Sequence, residues 1–185
     1  MSAYPWYELV EATAGLEQGD FLFDYPIPLV PLEVVGTRSG GRDAREIKFD
    51  VYTYHLIIMT QSCDLQKMSE DTDVLLCPRV AYPDAVVKNA KLRGPNGWSS
   101  LRKGHSVGLH LLNKCEIEEH SLTYQIIDLQ KVFTSPIRVV RAHANSQGKR
   151  VRLCPPYREH LAQAFARQFM RVGLPADLPD TLPRM

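Results

Sequence analysis

The stretch His55-Leu56-Ile57-Ile58-Met59-Thr60-Gln61-Ser62-Cys63-Asp64 decides how this chain is read. Leu56 to Met59 form an apolar run that stops abruptly at a polar, thiol-bearing turn. A short apolar run bounded by turn residues predicts a strand covered on both faces, and chemistry is often placed where such a strand ends. Upstream, Ile47, Phe49 and Val51 alternate with Lys48 and Asp50, the period of a half-exposed strand that continues through Tyr54 into the run. Downstream, Val74 to Val80 (VLLCPRV) repeats the buried pattern and places Cys77 in the core.

Around this pair the remaining elements are short. Met1 to Leu16, with Tyr4, Trp6, Tyr7, Leu9 and Val10, reads as a short packed helix ended by Gly15. Gly19-Asp20 opens a strand at Phe21-Leu22-Phe23, and Pro26, Pro28 and Pro31 confine the segment after it to a sheet edge. Gly36 to Glu46 (GTRSGGRDARE) reads as a mobile loop. Ala81 to Lys91 fits a helix, Gly94-Pro95-Asn96-Gly97 a turn, and Val107 to Leu112 and Leu122 to Ile127 two further strands. Ser135-Pro136 begins either an extended piece or a helix through Ala144, since Ile137, Val140 and Ala144 share a helical face while Val139 fits a strand. Pro155-Pro156 then starts an amphipathic helix over 155–173, with Tyr157, Leu161, Phe165, Phe169 and Val172 on one stripe. The expected class is α+β, mainly β: a small, strongly bent sheet or partly open barrel with helices outside.

Composition bounds the rest. A chain of 185 residues, 44% hydrophobic and 23% charged, predicts one globular domain over 1–174 and a loose tail over 175–185. No apolar run reaches bilayer-spanning length and the N-terminus is unlike a signal peptide, so the expectation is a cytosolic protein without a membrane partner. Cys63, Cys77, Cys115 and Cys154 are spaced as thiols rather than as a disulfide framework. Net charge is +1, yet no Lys or Arg precedes Arg38, while Arg138 to Arg171 carries Arg138, Arg141, Lys149, Arg150, Arg152, Arg158, Arg167 and Arg171 against Glu159 alone. The asymmetry reads either as two ends of the chain that attract each other or as a nucleic-acid face.

The order Gly19-Asp20 with a strand, a loop, LIIMT, VLLCPRV and later TYQIIDLQKVFTS resembles the SH3-like barrel of the MazF/PemK toxin group, over roughly Gly19 to Ser135. The resemblance implies an SH3-like barrel core over 19–135 and a place in a toxin-antitoxin or phage-defence module. Its metal-free ribonuclease chemistry would take an Arg from the loop, here Arg38, Arg42 or Arg45, and a hydroxyl two positions after Pro78. That position is Val80, so the resemblance favours a relative that binds rather than cleaves. The TQSCDL turn and the LCPPYREHLAQAFARQFMRVGLP terminus are also similar to segments of bacterial proteins, which carries no activity.

Several residues could carry chemistry. Cys63 is a nucleophile if a histidine (His55, His105, His110 or His143) lies near, and otherwise a semi-buried structural thiol. Asp64 is a general base or a turn cap. Arg42 is the catalytic residue of the ribonuclease alternative. Nucleic-acid contact, to RNA or DNA, is expected at Arg38, Arg42, Arg45, Arg102, Lys103, Arg150 and Arg152, with Trp98 or Tyr157 for stacking. No metal pair or cofactor fingerprint is present, so none is expected. The closing helix packs on the body or offers a surface to a partner protein or a second copy.

Overall fold

The computed structural model describes residues 4–29 and 49–170. Its elements run β1 (Tyr7–Val10), β2 (Phe21–Leu29), β3 (Asp50–Ile58), α1 (Ser62–Leu65), β4 (Asp73–Ala81), α2 (Tyr82–Lys88), α3 (Gly94–Arg102), β5 (Leu109–Leu112), β6 (Gln125–Asp128), β7 (Phe133–Pro136), α4 (Ile137–Ser146), β8 (Arg150–Leu153) and α5 (Tyr157–Phe169). The class is α+β with mostly strands, as expected. The sheet is antiparallel and open, in the order β2-β3-β4-β6-β5, with β7 also paired to β4. The loop over 36–46 with its three arginines, the strand start at Ile47, Val172 and the tail lie outside the described residues.

β3 is interior to this sheet, between β2 and β4, and Leu56, Ile57 and Ile58 are fully buried. Alternation splits them between two cores. Leu56 and Ile58 join Leu22, Tyr25, Val74 and Leu76 beneath Ile137, Val140 and Ala144 of α4. Ile57 joins Phe21, Cys77, Ile127, Leu153 and Leu161 of α5 on the other face. Burying each such side chain contributes about 1.5–3 kcal/mol, which is why a run without polar alternation settles here. A third cluster, Leu92, Leu101 and Ile126, lies under α2 and α3.

β2 is an edge strand, as its prolines require, and its ladder with β3 shifts between Leu22 and Tyr25. Asp24 at this bulge has φ 49°, a left-handed conformation rare outside glycine. The expected helix within Met1 to Leu16 is instead β1, paired with β8 from Tyr7↔Leu153 to Val10↔Arg150. Period-two packing decides this: Tyr7 and Leu9 pack on the core around Phe21 while Glu8 faces Arg152 across the ribbon. The expected turn at Gly94 to Gly97 is the first turn of α3, with Pro95 where a missing N–H costs nothing. Gly97 is needed there because a Cβ would lie 2.4 Å from the Leu92 carbonyl carbon. Of the two readings of Ser135 to Ala144 the helix forms, since β7 ends at Pro136 and α4 begins at Ile137 and contains Val139. α5 buries Leu161 and leaves Phe169 62% exposed. Among the described residues no helix is long and apolar enough to cross a membrane.

Candidate anion-binding site

The polar turn after β3 is built into the fold. Thr60 Oγ1 accepts the Leu75 N–H at 2.8 Å, Ser62 Oγ accepts the Gln18 N–H at 3.1 Å, and Gln18 Nε2 donates to the Met59 carbonyl at 2.7 Å. Cys63, at the start of α1, is exposed rather than semi-buried. Its Sγ lies 3.8 Å from Gln61 Oε1 and 3.7 Å from Asp64 Oδ1, and among the described residues no histidine is hydrogen-bonded to it. The Cys–His pair of a thiol hydrolase is therefore not assembled among the described residues, where the thiol meets Gln61 and Asp64 instead. Asp64 is exposed, and its carbonyl accepts the Lys67 N–H.

Two of the expected nucleic-acid contacts are corrected by their burial. Arg150 is fully buried and Arg152 is 7% exposed. Arg150 donates from Nε to Asp20 Oδ2 at 3.3 Å and from its terminal nitrogens to the carbonyls of Ala12 and Ala14 at 2.8 Å each. Arg152 donates to Asp20 Oδ1 at 2.5 Å, Glu17 Oε1 at 2.8 Å and the Gly15 carbonyl at 2.6 Å. Burial works against the Arg152 charge, but the Asp20 hydrogen bond and the carboxylates of Asp20, Glu17 and Glu8 together raise its pKa. Arg158 adds a bond to Glu17 Oε2 at 2.7 Å. These donors are spent on the N-terminal acids and carbonyls, so the charge asymmetry is one of chain segments that attract each other. Arg102 and Lys103 are exposed at the end of α3. Arg102 borders a hollow of about 310 Å³ with Trp6, Trp98, Leu111, Asn113 and Tyr124. Trp98 meets Tyr82 and Tyr124 edge-on, and Tyr157 stacks on Trp6 at 3.6 Å.

A cavity of about 640 Å³ opens where β2, β3, β4 and the segment before β6 meet. Phe23, Thr53, Tyr54, His55, Arg79, Val80, Asp84, Val87, Lys88, Leu122, Thr123 and Gln125 line it. Arg79 is its unusual member. Strand alternation on β4 points it to the same side as Cys77, at the end of the core around Phe21, and it is only 3% exposed. Its Cζ sits 4.6 Å from the ring centre of Phe21 and 4.2 Å from that of Phe23. Nη1 donates to Gln125 Oε1 at 2.9 Å, whereas Nε and Nη2 have no hydrogen-bond partner among the described residues. No carboxylate forms a salt bridge with it among those residues. Burial lowers its pKa to about 10, with Tyr7 and Asp24 opposing the shift. Two aromatic faces stabilise a cation without neutralising it, so the guanidinium keeps a field that an anion would satisfy.

The bulge of β2 shapes this wall. Asp24 N–H donates to His55 Nδ1 at 3.2 Å, Phe23 N–H donates to Gln147 Oε1 at 3.1 Å, and His143 Nε2 lies 2.8 Å from the Phe23 carbonyl. The backbone that lost its ladder partners is thus held by side chains of β3, of α4 and of Gln147 just after it, which keeps Phe23 over Arg79. With Nδ1 accepting, the neutral His55 ring carries its proton on Nε2. Burial and then the Arg79 charge lower the His55 pKa, and Asp24 opposes them.

Of the residues expected to bind nucleic acid, Arg102 and Lys103 stand at the surface away from this cavity, and the three loop arginines are not described. Arg79 and His55 form the cavity wall. Arg79 was legible as one signal only, a charged residue inside the apolar run VLLCPRV. Among the described residues no cluster of His, Cys, Asp and Glu is arranged to hold a metal ion. No protein-family model, curated protein or solved structure matches this chain.

Proposed function

We propose that this protein binds nucleic acid and takes a phosphate of it into the Arg79 cavity. One observation carries the reading: a guanidinium 97% removed from solvent, with two nitrogens unpartnered and no salt bridge to a carboxylate among the described residues. Buried polar groups are ordinarily satisfied, and an uncompensated buried cation costs stability unless a ligand completes it. Arginine is suited to phosphate because its forked donors match two oxygens at once. Hydroxyls of Thr53, Ser121 and Thr123 and the Lys88 ammonium surround the same opening.

The sequence resemblance after Gly19-Asp20 is the ground for a MazF/PemK-like ancestry, and the toxin-antitoxin or phage-defence setting rests on that resemblance alone. Binding without cleavage is the form of it we carry forward. Val80 stands in the cavity where the resemblance asks for a hydroxyl, and among the described residues no histidine is hydrogen-bonded to Cys63. The test is fluorescence anisotropy of labelled single-stranded RNA and DNA against the protein and its Arg79→Met variant. Binding that weakens with salt and is lost in the variant is expected. Equal binding by both proteins, or none by either, overturns the reading.

A further inference from the structure

The geometry points to a narrower ligand, and we infer that the group received by Arg79 is a phosphomonoester carried on a nucleoside. The source is a strand end or a free mononucleotide. The inference rests on the nucleic-acid reading above and adds which phosphate is read.

Depth is the first argument. Arg79 is 3% exposed and has Phe23 across one face of its guanidinium. An internal phosphodiester carries a sugar on each side and has two free oxygens. To reach a recessed cation, the strand on both sides would have to follow it in. A phosphomonoester has one attachment and three free oxygens, so it enters end-first. Its second ionisation, with a pKa of about 6, also gives it nearly twice the charge of a diester at neutral pH.

The surroundings supply the second argument. A protein that tracks a strand lays a row of cations along it. Here Arg138 pairs with Asp71, Arg141 with Glu70, Lys149 with Glu11 and Glu119, and Lys114 with Glu116. Among the described residues Lys88 is the only other cation that lines the cavity, and Asp84 lines it too. That arrangement suits one anionic group rather than a backbone.

Size is the third. A cavity of about 640 Å³ lies well within the range of small-molecule sites and far exceeds what a phosphate fills. Phe23, Tyr54, Val87 and Leu122 offer apolar wall for a base, and Thr53, Ser121 and Thr123 offer hydroxyls for a sugar.

The experiment compares oligonucleotides with a 5′-phosphate or 5′-hydroxyl (labelled at the 3′ end), and with a 3′-phosphate or 3′-hydroxyl (labelled at the 5′ end). Unlabelled nucleoside monophosphates serve as competitors. The expected result is at least about tenfold tighter binding of one phosphorylated end, the equivalent of one charge-assisted hydrogen bond. The slope of log K against log salt should correspond to one or two charges rather than to a run of phosphates. Competition by mononucleotides identifies the free nucleotide as a source, and resistance to them identifies the strand end. Arg79→Met should abolish the preference, and so should Gln125→Glu, which sets a carboxylate against the guanidinium in nearly unchanged shape. Equal binding of phosphorylated and hydroxyl ends, lost in both variants, would overturn the phosphomonoester inference and leave the nucleic-acid reading standing. Absence of binding by every oligonucleotide and mononucleotide would remove both.

Discussion

Replacing Arg79 by methionine separates a residue kept for a ligand from one kept for the fold. Methionine follows the same unbranched path between Phe21 and Phe23 but carries no charge. Moving the arginine pKa from 12.5 to about 10 corresponds to about 3 kcal/mol against the charged form in the folded protein. Against this, two cation–π contacts contribute about 1 kcal/mol each, and the Gln125 hydrogen bond about 1 kcal/mol more. The opposing contributions nearly cancel, so Arg79→Met should change stability by less than about 1 kcal/mol, or about 2–4 °C in Tm. Urea titration monitored by circular dichroism measures it. A loss of 3 kcal/mol or more would refute the reasoning, because it would mean that Nε and Nη2 have structural partners in solution.

Other perturbations have different signatures. Asp20→Ala strips the fully buried carboxylate from two buried guanidinia and should cost about 3–5 kcal/mol, read as a fall in Tm of at least about 6 °C. His110, facing His160, is pushed down to about 4, chiefly by burial. As pH falls below about 6.5 the unfolded chain takes up this proton first, so stability declines between about pH 6.5 and 4 and not above. His110→Gln should remove up to about 3 kcal/mol of that decline, measured by urea melts at pH 7 and pH 4. Unchanged pH dependence in the variant would exclude His110 as its origin. Thiol titration with a disulfide reagent should find one fast group, Cys63, and four after unfolding, since Cys77, Cys115 and Cys154 are buried. Loss of the fast group in Cys63→Ser checks the assignment.

The parts legible in the sequence are those where burial and composition agree. Leu56 to Met59 and Val74 to Cys77 declare two of the inner strands because no polar residue interrupts them. The prolines of β2 declare an edge, whereas the Ile137, Val140 and Ala144 spacing allowed the helix that forms without deciding it, since Val139 also fits a strand. β8 was hidden because RVRL carries two arginines, which read as surface until the acids that bury them are known. Those acids lie about 130 positions earlier, beyond any local pattern. The candidate site was hidden for the same reason. Arg79, Phe23, His55 and Gln125 come from four separated segments, and only the bulge at Asp24 aims Phe23 at the guanidinium. Cys63 drew attention through its neighbours Ser62 and Asp64, yet the hydroxyl is used in holding Gln18.

The pairing of Asp20 with Arg150 and Arg152 also sets an order of events at the ribosome. Asp20 emerges early, yet both of its counter-charges follow it by 130 and 132 residues. At about 5–20 residues per second that is a wait of roughly 10 seconds. Until β8 arrives, β1 has no partner strand and Asp20 is better solvated than buried. The inner strands can associate during translation, whereas this corner closes only after the chain has passed Leu153. A ribosome stalled before Arg150 would therefore present a chain in which β1 and Asp20 lack the partners that hold them, the kind of local opening at which proteases act.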